Sequence, residues 1–195
     1  MLCDQTGAAM KHMDIIGPGL FVIGLSLFTY FFVGKIGPIV IGGASAGGFL
    51  LYLKTGYKYR FDTSKVIVAY LITVIFFIIH VYEEYIFGFE EIASQLSGQD
   101  VTQQSLLTFA AFFAPIMWIS GAIFIIKEWA LGYYFLAFFF VAMTIAELTH
   151  FIFPFILYGE WRYTAGVVTA ALPLIPAWYG LMITLKETKR LRDEE

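Results

Sequence analysis

Six apolar stretches dominate this chain: 15–33, 36–53, 66–87, 106–126, 130–157 and 163–185. Each reaches about 27 Å or more at ~1.5 Å per residue, enough to cross the hydrocarbon core of a bilayer. Lipid offers no partner to a backbone N–H or C=O, so such runs must satisfy those groups internally, and runs of this length do so as helices. The expected fold class is all-α, a polytopic transmembrane helix bundle of about six spans. With 59% hydrophobic and only 14% charged residues, the chain lies far outside the range of a soluble domain.

The charges set an expected orientation. Of the 12 Lys and Arg, only Lys35 and Arg162 fall in connections opposite the termini, while Lys11, Lys54, Lys58, Arg60, Lys65, Lys127 and the tail bases share the terminal side. The positive-inside rule then places both termini in the cytoplasm, with the protein in a plasma or inner membrane. Glu90, Glu91, Asp100 and Glu160 make the other face acidic, and the connection 88–105 is long and polar enough to cap it. Met1 to Asp14 shows neither a basic run nor a small-residue cleavage site, so the first span is expected to be retained. Cys3, the single cysteine, excludes an internal disulfide and leaves at most a lipidation site.

One domain, 1–195, is expected: 1–60 as two N-terminal spans, 61–185 as a four-span core, and 186–195 as a charged cytoplasmic tail. Gly42, Gly43, Ala46, Gly47 and Gly48 place small residues at helical spacing in the second stretch. That pattern suits close helix contact, within the chain or with a second protomer.

Two polar clusters interrupt the apolar runs: His80-Val-Tyr-Glu83-Glu84 in the third and Glu147-Leu-Thr-His150 in the fifth. Each acid near a span's centre opposes insertion by roughly 3 kcal/mol, whereas the Leu, Ile, Val and Phe residues of 66–79 together return about 3 to 7 kcal/mol. The helix can insert, but two acids in place of Leu or Ala call for a functional gain. Both histidines lie about 12 Å from the same end of their spans, so the clusters match in depth. Spacing of three and four puts His80, Glu83 and Glu84 on one face, and Glu147 and His150 on another. Pro154 removes the N–H that would bond the His150 carbonyl and is expected to kink the fifth span there.

Two imidazoles and three carboxylates in apolar surroundings call for a cation among them. A divalent transition metal, Zn, Fe or Mn, suits this donor set. The candidate ligands are His80, Glu84, Glu147 and His150. One version uses His80, His150 and either Glu84 or Glu147, leaving a spare acid, Glu83 or Glu147, as general base on a water. A two-iron carboxylate centre is under-supplied, because one Glu-x-x-His pair is reversed and one carboxylate is missing. Arg162, Tyr163 and Thr169 begin the sixth stretch on the same side and are candidates for binding a lipid headgroup or substrate anion. The competing reading makes Trp161, Arg162 and Tyr163 an interfacial anchor.

His80-Val-Tyr-Glu83-Glu84, the later His150, and Arg162-Tyr163-Thr164-Ala165-Gly166-Val167-Val168-Thr169-Ala170 together resemble the HXXEE-domain membrane proteins, over about residues 67–179. The resemblance implies a compact polytopic protein with His80, Glu83, Glu84 and His150 as signature residues, and it assigns no reaction.

The leading functional expectation is a metal-dependent membrane enzyme acting on a lipid or other hydrophobic substrate, by hydrolysis ahead of oxidation. The alternatives are a proton or cation relay through the same cluster, purely structural interhelical bonding, and a non-catalytic subunit of a larger membrane complex. Membrane lipid is the expected partner, with a homo-oligomer or larger assembly as a further possibility. No nucleotide loop, serine nucleophile motif or nucleic-acid patch occurs.

Overall fold

The structure is a computed structural model that describes residues 2–195, with side chains from His12 onward. The expectations for Cys3 and Lys11 rest on side chains outside the described ones. All regular elements among the described residues are helical. They are α1 (Leu2–Val33), a π-helical segment π1 (Pro38–Gly42) leading into α2 (Gly43–Lys54), α3 (Ser64–Ile86) and α4 (Phe89–Ser97). There follow α5 (Gln103–Leu107), a second π-helical segment π2 (Thr108–Phe113) running into α6 (Ala114–Ile126), then α7 (Ala130–Tyr158) and α8 (Ala171–Asp193).

Four helices are long and apolar enough to cross a membrane: His12–Val33, Ser64–Ile86, Gln103–Ile126 and Ala130–Tyr158. Pro38–Lys54 is apolar but shorter. Together they suggest a membrane protein. Leu20, Leu27 and Phe31 on α1, and Val68, Ile75 and Tyr82 on α3, stand exposed, forming an outer face suited to lipid rather than water. Left-handed glycines mark the helix ends near the site: Gly88 at φ 75° separates α3 from α4, and Gly159 at φ 73° ends α7.

α7 is the centre of the bundle. Residues 132–140 are all buried, including Phe138, Phe139 and Phe140 at 0% exposure, so this stretch of the helix is enclosed on every side, while beyond it Leu148, Ile152 and Ile156 are exposed along one face. α2 and α6 lie along it, while α8 packs against both α3 and α7. Glycine permits the closest of these approaches. A Cβ at Gly48 would lie 2.3 Å from Phe138 Cα, and one at Gly180 would lie 2.2 Å from the Phe140 ring. Gly48 of α2 is thus engaged within the chain, while Gly43 is exposed. α7 continues through Pro154 to Tyr158 as one helix.

The start of the last helix differs from expectation. Residues 163–170 are not its first two turns but a folded connection, and α8 begins at Ala171. Gly166 takes φ 89°, which a right-handed helix excludes, and the N–H groups of Val168 and Thr169 bond a side chain instead of a preceding turn.

Candidate metal centre

α3 and α7 bring the two polar clusters together. The rings of His80 and His150 are 4.7 Å apart, edge to face at 84°. His80 Nε2 lies 3.0 Å from Glu147 Oε2 and 3.6 Å from Glu84 Oε1, and His150 Nε2 lies 3.4 Å from the same Glu84 oxygen. His80, Glu147 and His150 are buried, while the Glu84 side chain keeps 17% exposure. His80, Glu84 and His150 each offer one ligand atom, all within 4.8 Å of one another, so the three could hold a metal ion. Tetrahedral zinc bonds of about 2.0 to 2.1 Å imply ligand–ligand edges of roughly 3.4 Å. The two Glu84–imidazole separations match that edge. Glu147 touches the group through His80 and stands beside it.

The connection 163–170 forms the outer layer of the cluster. Glu83 turns away from the histidines and accepts from Tyr163 Oη at 3.0 Å, Val168 N at 3.3 Å, Thr169 N at 2.7 Å and the Thr169 hydroxyl. Four donors saturate both oxygens of one carboxylate, so Glu83 is an ionised anchor for this connection. The competing role suggested for it, general base, would have to draw on a carboxylate that is already engaged.

These bonds also assign the imidazole tautomers. The Thr169 hydroxyl spends its one hydrogen on Glu83, so at 3.1 Å it can only accept from His80 Nδ1–H. His150 Nδ1 lies 3.2 Å from the Ala165 carbonyl, which can only accept as well. In the neutral rings both Nε2 atoms therefore carry a bare lone pair, and both face Glu84. Fixing a histidine through its second nitrogen is the usual outer support of a metal ligand. Glu147 Oε2, buried at the same place, has no hydrogen-bond partner. With the rings neutral, two carboxylates and two lone pairs are thus gathered with no Lys or Arg among them. A divalent cation would balance Glu84 and Glu147 together, satisfying charges that apolar surroundings otherwise penalise.

Gly166 makes the close fit possible. A Cβ there would lie 2.6 Å from His150 Cε1 and 2.9 Å from His80 Cε1, so the connection lies directly against both rings. On the other flank α4 covers His150, with the Phe89 ring 5.2 Å away. Beneath α4 a cavity of about 140 Å³ opens onto His80, Glu84, Glu147 and His150, its remaining walls almost wholly apolar. Both π-helical segments contribute to those walls, through Val40 and Ile41 of π1 and Phe109 and Ala110 of π2. Such segments are often found at functional sites.

The structure thus gathers His80, Glu84, Glu147 and His150, while Glu83, Tyr163 and Thr169 form the layer behind them. Arg162 lies apart from the cavity, its guanidinium 3.0 Å above the Tyr158 ring at the end of α7. Tyr163 and Thr169 commit their hydroxyls to Glu83. Sequence reasoning missed the Ala165 carbonyl, Gly166, the Val168 N–H and the covering role of Phe89. Gly166 was the available signal, since a glycine between Ala165 and two valines argues against the start of a helix.

A family model described as "Protein of unknown function with HXXEE motif" matches residues 71–179, which contain the whole cluster and the connection behind it. No curated protein and no solved structure matches the chain.

Proposed function

The chain belongs to the HXXEE family, whose function is unknown, and we propose that it is a membrane enzyme holding one divalent transition metal at His80, His150 and Glu84 to hydrolyse a lipid or other hydrophobic substrate. The observation that carries this reading is the commitment of both Nδ1 atoms to acceptors, which leaves two Nε2 lone pairs aimed at Glu84 beside a buried, unpartnered Glu147 oxygen. Two imidazoles and one carboxylate match the protein ligands of catalytic zinc sites that keep a position open. A cation so held supplies Lewis acidity toward water or the scissile group. Glu147 accepts a proton from water as the water oxygen bonds to the electrophilic centre, and returns it to the leaving group as that bond breaks. Glu83 takes no proton and holds residues 163–169 in place.

The finer topology belongs to the same proposal. Pro38–Lys54 lies along α7, and α8 lies along α3 and α7, so both accompany candidate spans and complete six crossings. The bases gathered on the terminal side put both termini in the cytoplasm of a plasma or inner membrane, and lipid is the partner in which substrate arrives. Residues 1–60 then frame the four-span core.

A second reading has its own observation: Glu147, His80, Glu84 and His150 form a continuous row with steps of 3.0, 3.6 and 3.4 Å, which suits a proton relay. Elemental analysis of protein purified without chelators separates the two. The enzyme reading expects a stoichiometric transition metal that is lost in His80→Ala and His150→Ala variants of unchanged helical content. Zinc supports hydrolysis, whereas iron at two histidines and a carboxylate turns the reading to oxygen-dependent oxidation. Metal-free protein that carries protons across vesicles replaces the enzyme with the relay.

A further inference from the structure

The apolar cavity has one polar end and one aromatic end. At the first stand the four cluster side chains; at the other, Phe77, Trp118 and Phe138 close the space, with ring centroids 6.3 Å apart for Phe77 and Trp118 and 5.4 Å for Trp118 and Phe138. Between the ends the α7 wall is formed by Ala142, Met143 and Ala146, one helical face on which two alanines leave the room that larger side chains would fill. From Glu147 to Phe138 this wall runs about 13 Å along the helix. A space with these walls excludes a compact polar solute and fits a slender apolar chain with a polar head.

A second hollow, of about 580 Å³, lies outside it between α1 and α6, with Phe21, Gly24 and Phe28 on one side and Phe113 on the other. Phe109, Ala114 and Met117 border both spaces and so stand between the outer groove and the chamber. The groove lies between two candidate membrane spans, where lipid tails are the surrounding solvent. π2, with Phe109 on it, forms part of the partition, and a π-helical turn gives the backbone a local register other than that of the α-helix around it.

We propose that the chamber seats a single aliphatic chain of an amphiphile drawn sideways from the bilayer past Phe109 and Met117, with its head at the His/Glu cluster and its end against Phe77, Trp118 and Phe138. The proposal rests on reading the cluster as a centre that acts on a hydrophobic substrate, and it names that substrate as a single-chain or singly inserted acyl lipid. The aromatic end then sets the longest chain that seats fully.

The test uses the full chain in lipid nanodiscs and a long-chain saturated fatty acid carrying a diazirine on its terminal carbon. After illumination, peptide mass spectrometry should find the label on the peptides containing Phe77, Trp118 or Phe138. Ala146→Trp and, separately, Ala142→Phe should abolish that labelling while metal content stays at the wild-type level, the metal reporting that each variant is folded. Label confined to Phe21, Phe28 or Phe113 would overturn the proposal, as would floor labelling untouched by either substitution. Failure here is distinct from failure of the enzyme reading. Floor labelling of a metal-free protein keeps the seat and removes the hydrolase, whereas metal-loaded protein without floor labelling removes the seat alone.

Discussion

Glu147 Oε2 lies 3.0 Å from His80 Nε2 and, with that ring neutral, receives no hydrogen bond. Because Thr169 accepts a hydrogen bond from Nδ1–H on the opposite side of the ring, the neutral His80 ring presents a lone pair to a carboxylate oxygen. Lone pair against lone pair is unfavourable in a buried site, and a cation or a proton between the groups resolves it. Glu147→Gln tests which use the carboxylate serves. As general base, Glu147 can be replaced with metal content unchanged, while hydrolytic turnover falls by about 10² to 10⁴. Loss of the metal in this variant would instead make Glu147 a ligand.

Thr169 links two roles in one hydroxyl, donating to Glu83 and accepting from His80. Thr169→Val removes both bonds at nearly constant volume, so His80 loses the partner that sets its tautomer. Metal affinity, measured by competition with a chelator, should fall by about 10- to 100-fold, the usual effect of losing such a support. Thr169→Ser restores the hydroxyl and should recover most of that loss. Equal affinities for wild type and Thr169→Val would show that the hydroxyl does not orient the ring.

Gly166 faces both imidazoles at once. Gly166→Ala places a methyl 2.6 Å from His150 Cε1 and 2.9 Å from His80 Cε1, at a backbone φ of 89° that L side chains rarely adopt. The backbone strain alone costs about 1 to 3 kcal/mol. The connection 163–170 must retreat from the rings, so the variant should lose metal before it loses helix. Titration with zinc alongside circular dichroism checks this order. A variant that melts as a whole at the temperature where its metal leaves would sink it.

The contrast between Glu83 and Glu84 shows where sequence reading stops. Both lie within one turn of His80, and shared-face reasoning treats them alike. At about 100° per residue, Glu83 sits roughly 60° to one side of His80 and Glu84 about 40° to the other, so the two acids diverge. Glu84 meets His150 on α7, and Glu83 meets the connection before α8. Depth was legible because it follows from counting residues to a helix end, as was α7 itself, whose bounds fall within a residue of the apolar run. The connection 163–170 was not, because Ala165, Val167, Val168 and Ala170 read as span whether they face lipid or fold under a helix. The chamber was hidden for the same reason, since Ala142 and Ala146 are equally apolar against a neighbour or beside a void.

Gly48 and Gly43 separate internal contact from self-association. A Cβ at Gly48 would lie 2.3 Å from Phe138 Cα and 2.7 Å from Phe138 N. Those atoms are backbone and cannot rotate aside, so Gly48→Ala must push α2 away from the most enclosed helix of the bundle. The cost should exceed the roughly 1 to 3 kcal/mol of ordinary overpacking. Gly43 is exposed, with nothing within 4 Å of its added Cβ. There the same substitution only removes glycine's backbone freedom inside a helix, and should be neutral or stabilising by up to about 1 kcal/mol. Thermal unfolding of the two variants in the same lipid checks the pair. If Gly43→Ala is the damaging change and Gly48→Ala is tolerated, the small residues of α2 serve a second copy of the chain rather than α7.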